Sequence, residues 1–129
     1  MNTKLLMTVT ALALGAIGIT LTFLPQEVAH ILNLKESMPI VLQILGALYF
    51  GFAMLNWTAK ANLIGGIYSR PVAIANFTHF LIGGLALIKL AFQQSTWISI
   101  WVYALIYLVF ALLFGWVLFT NPFPIDKVD

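Results

Sequence analysis

The sequence predicts an all-α membrane protein: an antiparallel bundle of four transmembrane helices, with a short interfacial helix between helices 1 and 2. Three observations lead there. Of the 129 residues 62% are apolar and only 8% are charged, whereas a soluble domain carries about a quarter charged residues. The apolar residues gather into four runs, each long enough to cross a hydrocarbon core of about 30 Å at about 1.5 Å per helical residue. Links containing Pro, Gly or charge, or at 93–96 the uncharged polar stretch Gln-Gln-Ser-Thr, separate the runs. The expected spans are 5–24, 40–58, 72–92 and 97–120 within a single domain, followed by a short tail, 121–129.

The first run follows Lys4, which raises the alternative of a secretory signal. The run exceeds the roughly 7–15 residues of a signal core, and Leu24-Pro25-Gln26 is not a small-residue cleavage site. It therefore reads as a retained span. Thr8, Ala11, Gly15, Gly18 and Thr22 share one helical face, where small residues permit close approach of another helix; Leu6, Ala13, Ile17 and Leu24 lie opposite.

From Pro25 to Pro39 the chain is too polar to span. Pro25 suits a first helical turn, and Glu27 and Lys35 suit the positive and negative ends of the helix dipole. With Val28, Ile31 and Leu32 on one side, this segment reads as a helix lying at the membrane surface, and His30 as a headgroup-level side chain.

In the second span Val41, Ile44, Leu48, Phe52 and Leu55 form a stripe assigned to lipid. Gln43, Gly46, Phe50, Ala53 and Trp57 form the opposite stripe, flanked by Tyr49 and Asn56. Lys60, Gly65-Gly66 and Arg70-Pro71 make the next link. In the third span Ile74, Phe77, Leu81, Leu85, Ile88 and Phe92 are expected to face lipid, and Val72, Asn76, His79, Gly83, Ala86 and Leu90 to face protein. Lys89 can snorkel to the headgroups. The fourth span is bounded by Trp97 and Trp101 at one interface and by Trp116 and Phe119 at the other, as in an aromatic belt. Its packing face carries Tyr103, Tyr107, Phe110 and Phe114 beside Ala104, Ala111 and Gly115, with Leu105, Leu108 and Leu112 turned away.

Four spans place Lys4, Lys60, Arg70 and Lys127 on one side of the membrane and Lys35 and Lys89 on the other. The positive-inside rule then puts both termini in the cytoplasm, in the cell's inner (plasma) membrane. The net charge of +2 rests on few groups, and no basic run or recognition pattern points to nucleic acid. The absence of cysteine excludes disulfides, thiolate metal sites and a Cys nucleophile. No His or Glu pair has metal-ligand spacing, and there is no nucleophile elbow or phosphate loop. No cofactor is expected, and a membrane enzyme ranks last among the readings.

Lipid offers polar side chains no partner, so intramembrane Asn and His should turn to other helices. Aligning the spans by depth brings Asn56, Asn76, His79, Tyr107 and Thr8 toward one level. The speculative ligand-binding set is His79, Asn76, Tyr107, Asn56, Tyr103 and Gln43; its plainer reading is interhelical glue. Arg70, beside a helix start, and Lys60 are candidates for an anion or headgroup contact, or simply positive-inside anchors.

Two stretches carry a family resemblance. Thr22-Phe23-Leu24-Pro25-Gln26-Glu27 through Leu32-Asn33-Leu34 is similar to the link after the first helix of the DoxX-like superfamily of small four-helix bacterial membrane proteins. Leu45-Gly46-Ala47-Leu48-Tyr49-Phe50-Gly51-Phe52-Ala53 resembles that group's Gly-rich second helix. The resemblance implies a four-span layout and, through similar proteins that are small subunits associated with quinone-linked redox enzymes, an accessory role. It assigns no catalytic residue. Small multidrug transporters are set aside because the first span lacks a Glu, and fluoride channels because their Gly-rich, Arg-bearing opening and helix break are missing.

The expected function is thus a non-enzymatic accessory or interaction subunit of a membrane complex. Its surroundings are the lipid bilayer and a membrane-protein partner or a second copy of the chain. The alternative is a binder or carrier of a small hydrophobic molecule, a quinone or lipid, in an interior pocket around His79.

Overall fold

A computed structural model describes residues 2–31, 39–61, 70–93 and 98–120. They form five helices: α1 (Thr3–Phe23), α2 (Pro25–Ile31), α3 (Pro39–Ala59), α4 (Arg70–Gln93) and α5 (Ile98–Phe119). There is no strand among the described residues. Helices α1, α3, α4 and α5 are each long and apolar enough to cross a membrane, and their bounds fall within two residues of the expected spans. The protein is an all-α, four-helix, membrane-like chain. It is built as two compact units, Met1–Ala61 and Asn62–Asp129, each centred on a pair of long helices.

In the first unit α1 starts where the Asn2 side chain accepts the Leu5 N–H at 3.1 Å, filling one of the orphan donors of the first turn. It ends at Leu24, whose N–H donates to the Thr20 carbonyl at 2.9 Å. Pro25 can donate no backbone bond and opens α2 at once, with Glu27 in its first turn. The short helix packs on both α1 and α3, burying Pro25 and Ala29.

Helices α1 and α3 run antiparallel and meet at two glycines. A Cβ on Gly18 would lie 2.7 Å from the Phe50 backbone nitrogen and 2.9 Å from the Gly46 carbonyl oxygen. One on Gly46 would lie 2.9 Å from the Gly18 oxygen and 2.8 Å from the Thr22 nitrogen. The helices therefore touch backbone to backbone, where lipid-immersed helices gain most from dispersion. Leu6, Met7, Ala11 and Leu14 on α1, and Leu42 and Ala53 on α3, complete this core. Buried Thr10 satisfies its hydroxyl within its own helix, donating to the Leu6 carbonyl at 2.9 Å.

Helices α4 and α5 also run antiparallel, with Gly83 against the Tyr107 ring and Phe77 against Gly115. The buried stripe of α4 is Ala73, Asn76, Phe80, Gly84 and Ala91; that of α5 includes Ala104, Tyr107, Ala111, Phe114 and Gly115. Edge-to-face ring pairs clasp both ends of the hairpin. Phe92 meets Trp101 at 5.3 Å, and Phe77 meets Phe119 at 6.1 Å.

Several expected faces are corrected. Leu6, placed outward, is buried. Gln43, Phe50 and Trp57, placed inward, are exposed, and the buried side of α3 instead passes through Leu42, Gly46, Ala53, Asn56 and Ala59. On α4, Ala86 and Leu90 are exposed, whereas Phe77 and Leu81, assigned to lipid, are half-buried. Tyr103 leaves the packing face and is 57% exposed. For the aliphatic and Phe positions the cause is that a lipid chain is as good a neighbour as another helix, so bulk does not tell inside from outside. The stripes assigned to lipid on Val41, Ile44, Leu48 and Leu55, and on Ile74, Leu85 and Phe92, are exposed as expected. The expectations on residues 32–38, 62–69, 94–97 and 121–129, among them Lys35, Trp97 and the tail, lie outside the described residues.

Candidate functional site

The third apolar run places its polar side chains one helical turn apart on α4. Asn76 is fully buried, and its Nδ2 donates to the Val72 carbonyl at 2.8 Å. That bond returns one amide hydrogen to the helix's own backbone, a solution suited to a solvent without hydrogen-bonding groups. His79 follows, half-buried, with its ring 5.7 Å from the Tyr107 ring and 5.1 Å from that of Phe80. Gly83, one turn further, supplies the space for Tyr107: a Cβ there would stand 2.7 Å from the phenol ring.

Around this pair the hairpin fills itself with aromatic rings. Phe80 is 2% exposed and lies stacked on Phe110 at 4.8 Å and on Phe114 at 6.0 Å, and edge-on to Tyr107 at 5.3 Å. Offset stacks and edge contacts of this kind contribute roughly 0.5–1.5 kcal/mol each beyond area burial. The sequence reading named Tyr107, Phe110 and Phe114 but missed Phe80, the residue that joins them. Its signal was available: Phe80 continues the Ala73–Asn76 stripe at i+4 and shares that stripe with Gly84.

Of the remaining expected site residues, Asn56 lies on α3 in the first unit, buried, with Nδ2 donating to the Phe52 carbonyl at 2.8 Å. Thr8 donates its hydroxyl to the Lys4 carbonyl at 2.8 Å. Gln43 is exposed on α3, and Tyr103 is exposed one turn before Tyr107 on α5. The structure thus brings His79 and Tyr107 together, with Asn76 a turn away, and turns Tyr103 out of the cluster.

The two candidate anion contacts sit at helix ends. Lys60 follows α3 and holds its amino group 2.8 Å from the centroid of the Trp57 ring, a cation–π contact of about 0.5–1 kcal/mol at an exposed site. Arg70 is the first residue of α4 and is exposed. His30 is exposed on α2, beside an open hollow of about 390 Å³ shared with Gln26, Glu27 and Ile31. Among the described residues no three of His, Cys, Asp or Glu come together. The chemistry of the α4–α5 cluster is therefore that of amide, imidazole, phenol and ring faces.

Comparison with known proteins supplies no relative: no family model, no curated protein and no solved structure matches the chain. The class defined by fold and site is that of a small, multi-pass, all-α membrane protein.

Proposed function

We propose that the protein is a non-enzymatic accessory subunit of a membrane complex, lying in the inner membrane with both termini in the cytoplasm. One observation carries the reading. Gly51 lies mid-helix on α3, exposed, with nothing but its chain neighbours and its own helix backbone within 4 Å of where its Cβ would be. Exposed Ala47 precedes it by one turn. Glycine weakens a helix interior by roughly 0.5–1 kcal/mol relative to alanine unless something uses the vacated space. In the same chain Gly18 and Gly46 use it for a backbone-to-backbone helix contact. The Ala47–Gly51 face offers a further helix the same approach. The resemblance to the DoxX-like superfamily fits this role, and Lys60 after the end of α3 and Arg70 at the start of α4 fit cytoplasmic anchoring.

A photo-crosslinking residue installed at position 51 in native membranes tests the proposal. Protein adducts at 51, against lipid adducts alone at exposed Ile82, are expected; lipid adducts alone at both positions overturn it. Because the chain has no cysteine, a Gly51→Cys variant reports separately whether the neighbour is a second copy.

A second reading is the binding of a quinone or lipid around His79. The placement of an imidazole beside a phenol within a ring cluster favours it. A small molecule that co-purifies with the wild type and is lost from His79→Ala would support this reading; equal retention would exclude it.

A further inference from the structure

On the face of α4 opposite His79, the second unit carries a groove of about 500 Å³. That is within the roughly 300–1,000 Å³ of small-ligand sites. Its walls include Phe77 and Leu81 from α4 and Leu108, Leu112, Trp116 and Phe119 from α5. Thr120, which also lines it, is the polar residue at its end and donates its hydroxyl to the Trp116 carbonyl. From Leu108 to Thr120 the groove follows α5 for about 18 Å at helical rise, running from the end of the span toward its middle.

Arg70 is not among the residues that line the groove, but it lies on the same side of α4, beyond the Thr120 end. Positions 70, 74, 77 and 81 fall on one face of a helix, so Arg70 heads the stripe on which Phe77 and Leu81 line the groove. It stands about 10 Å before Phe77 along the axis. The antiparallel pairing of Phe77 with Gly115 and Phe119 puts Arg70 at the same end of the hairpin as Trp116 and Thr120. The Trp116–Thr120 end of the slot thus carries an indole and a hydroxyl, with Arg70 beyond it on α4, and the other end lies between Leu81 and Leu108.

We infer that this groove seats one acyl chain of an anionic phospholipid, with the lipid phosphate held at Arg70. The depth of the slot matches a chain running in from the surface, and its apolar walls match hydrocarbon. The guanidinium complements a phosphate, with which it forms paired charge-assisted hydrogen bonds. Apart from Arg70, which the first reading uses as an anchor, this site lies on different residues from both readings above and does not depend on them.

The test is native mass spectrometry of the full chain released from nanodiscs containing equal phosphatidylglycerol and phosphatidylethanolamine, with ubiquinone as a third competitor. The wild type should retain one phosphatidylglycerol in preference to phosphatidylethanolamine. Arg70→Gln should cut that preference about fivefold, the effect of one basic residue on an anionic lipid. Arg70→Lys should keep most of it. Leu112→Trp, which puts an indole into the slot from a position 74% exposed, should abolish retention of either phospholipid while far-UV circular dichroism stays unchanged. A preference unaltered in Arg70→Gln overturns the proposal whatever happens to the other variants. Selective retention of ubiquinone would overturn it in favour of an isoprenoid ligand.

Discussion

The two helical hairpins solve one problem in opposite ways. In lipid no hydrophobic force drives two helices together, so they must gain from closeness and shape. The α1–α3 hairpin removes side chains until backbones touch at Gly18 and Gly46. The α4–α5 hairpin adds large flat ones until Phe80, Tyr107, Phe110 and Phe114 interlock. Its glycines admit rings, Gly83 that of Tyr107 and Gly115 that of Phe77. The first device tolerates no added atom; the second tolerates no missing one. Thr10, Asn56 and Asn76 each give one hydrogen bond back to their own helix.

Breaking the second device should have the largest effect. Phe80→Ala removes four ring contacts, with His79, Tyr107, Phe110 and Phe114, and should destabilise the α4–α5 hairpin by about 3–5 kcal/mol. Detergent-titrated unfolding followed by tryptophan fluorescence would read this, and Phe80→Leu should recover part of it. The first device comes next. Gly18→Ala places a methyl against the Phe50 nitrogen and the Gly46 oxygen, neither of which can rotate away, and should cost about 1–3 kcal/mol as overpacking. The same unfolding titration reads it. The smallest effect sharpens the contrast. Gly51→Ala meets open space, so the purified protein should stay within about 0.5 kcal/mol of wild type or gain slightly, because alanine is the better helix former. In a native membrane that same substitution should weaken recovery of a partner if Gly51 is the contact proposed above.

These comparisons also mark what could be read from the residues. The positions of the four long helices were legible to within two residues, because length and hydropathy answer to bilayer thickness. A short helix opening at Pro25 was legible as well. The small-residue face through Ala11, Gly15, Gly18 and Thr22 was legible because only small side chains make close approach possible, and the structure pairs it with Gly46 and Ala53. The inward placement of Gln43, Trp57 and Tyr103 was not. These amphipathic side chains are accepted by a membrane boundary as readily as by a protein interior, so their identity does not report their direction.

By itself the sequence determined that the chain is all-helical, where its apolar helices begin and end, and which glycines permit contact. Those properties follow from local composition meeting a solvent of known thickness. Only the tertiary structure decided which face of each helix is buried, that Phe80 organises the rings around His79, and that Phe77 and Leu81 line a groove with Arg70 beyond one end. Those outcomes depend on how one apolar surface fits another, and surfaces of equal apolarity are told apart by shape alone.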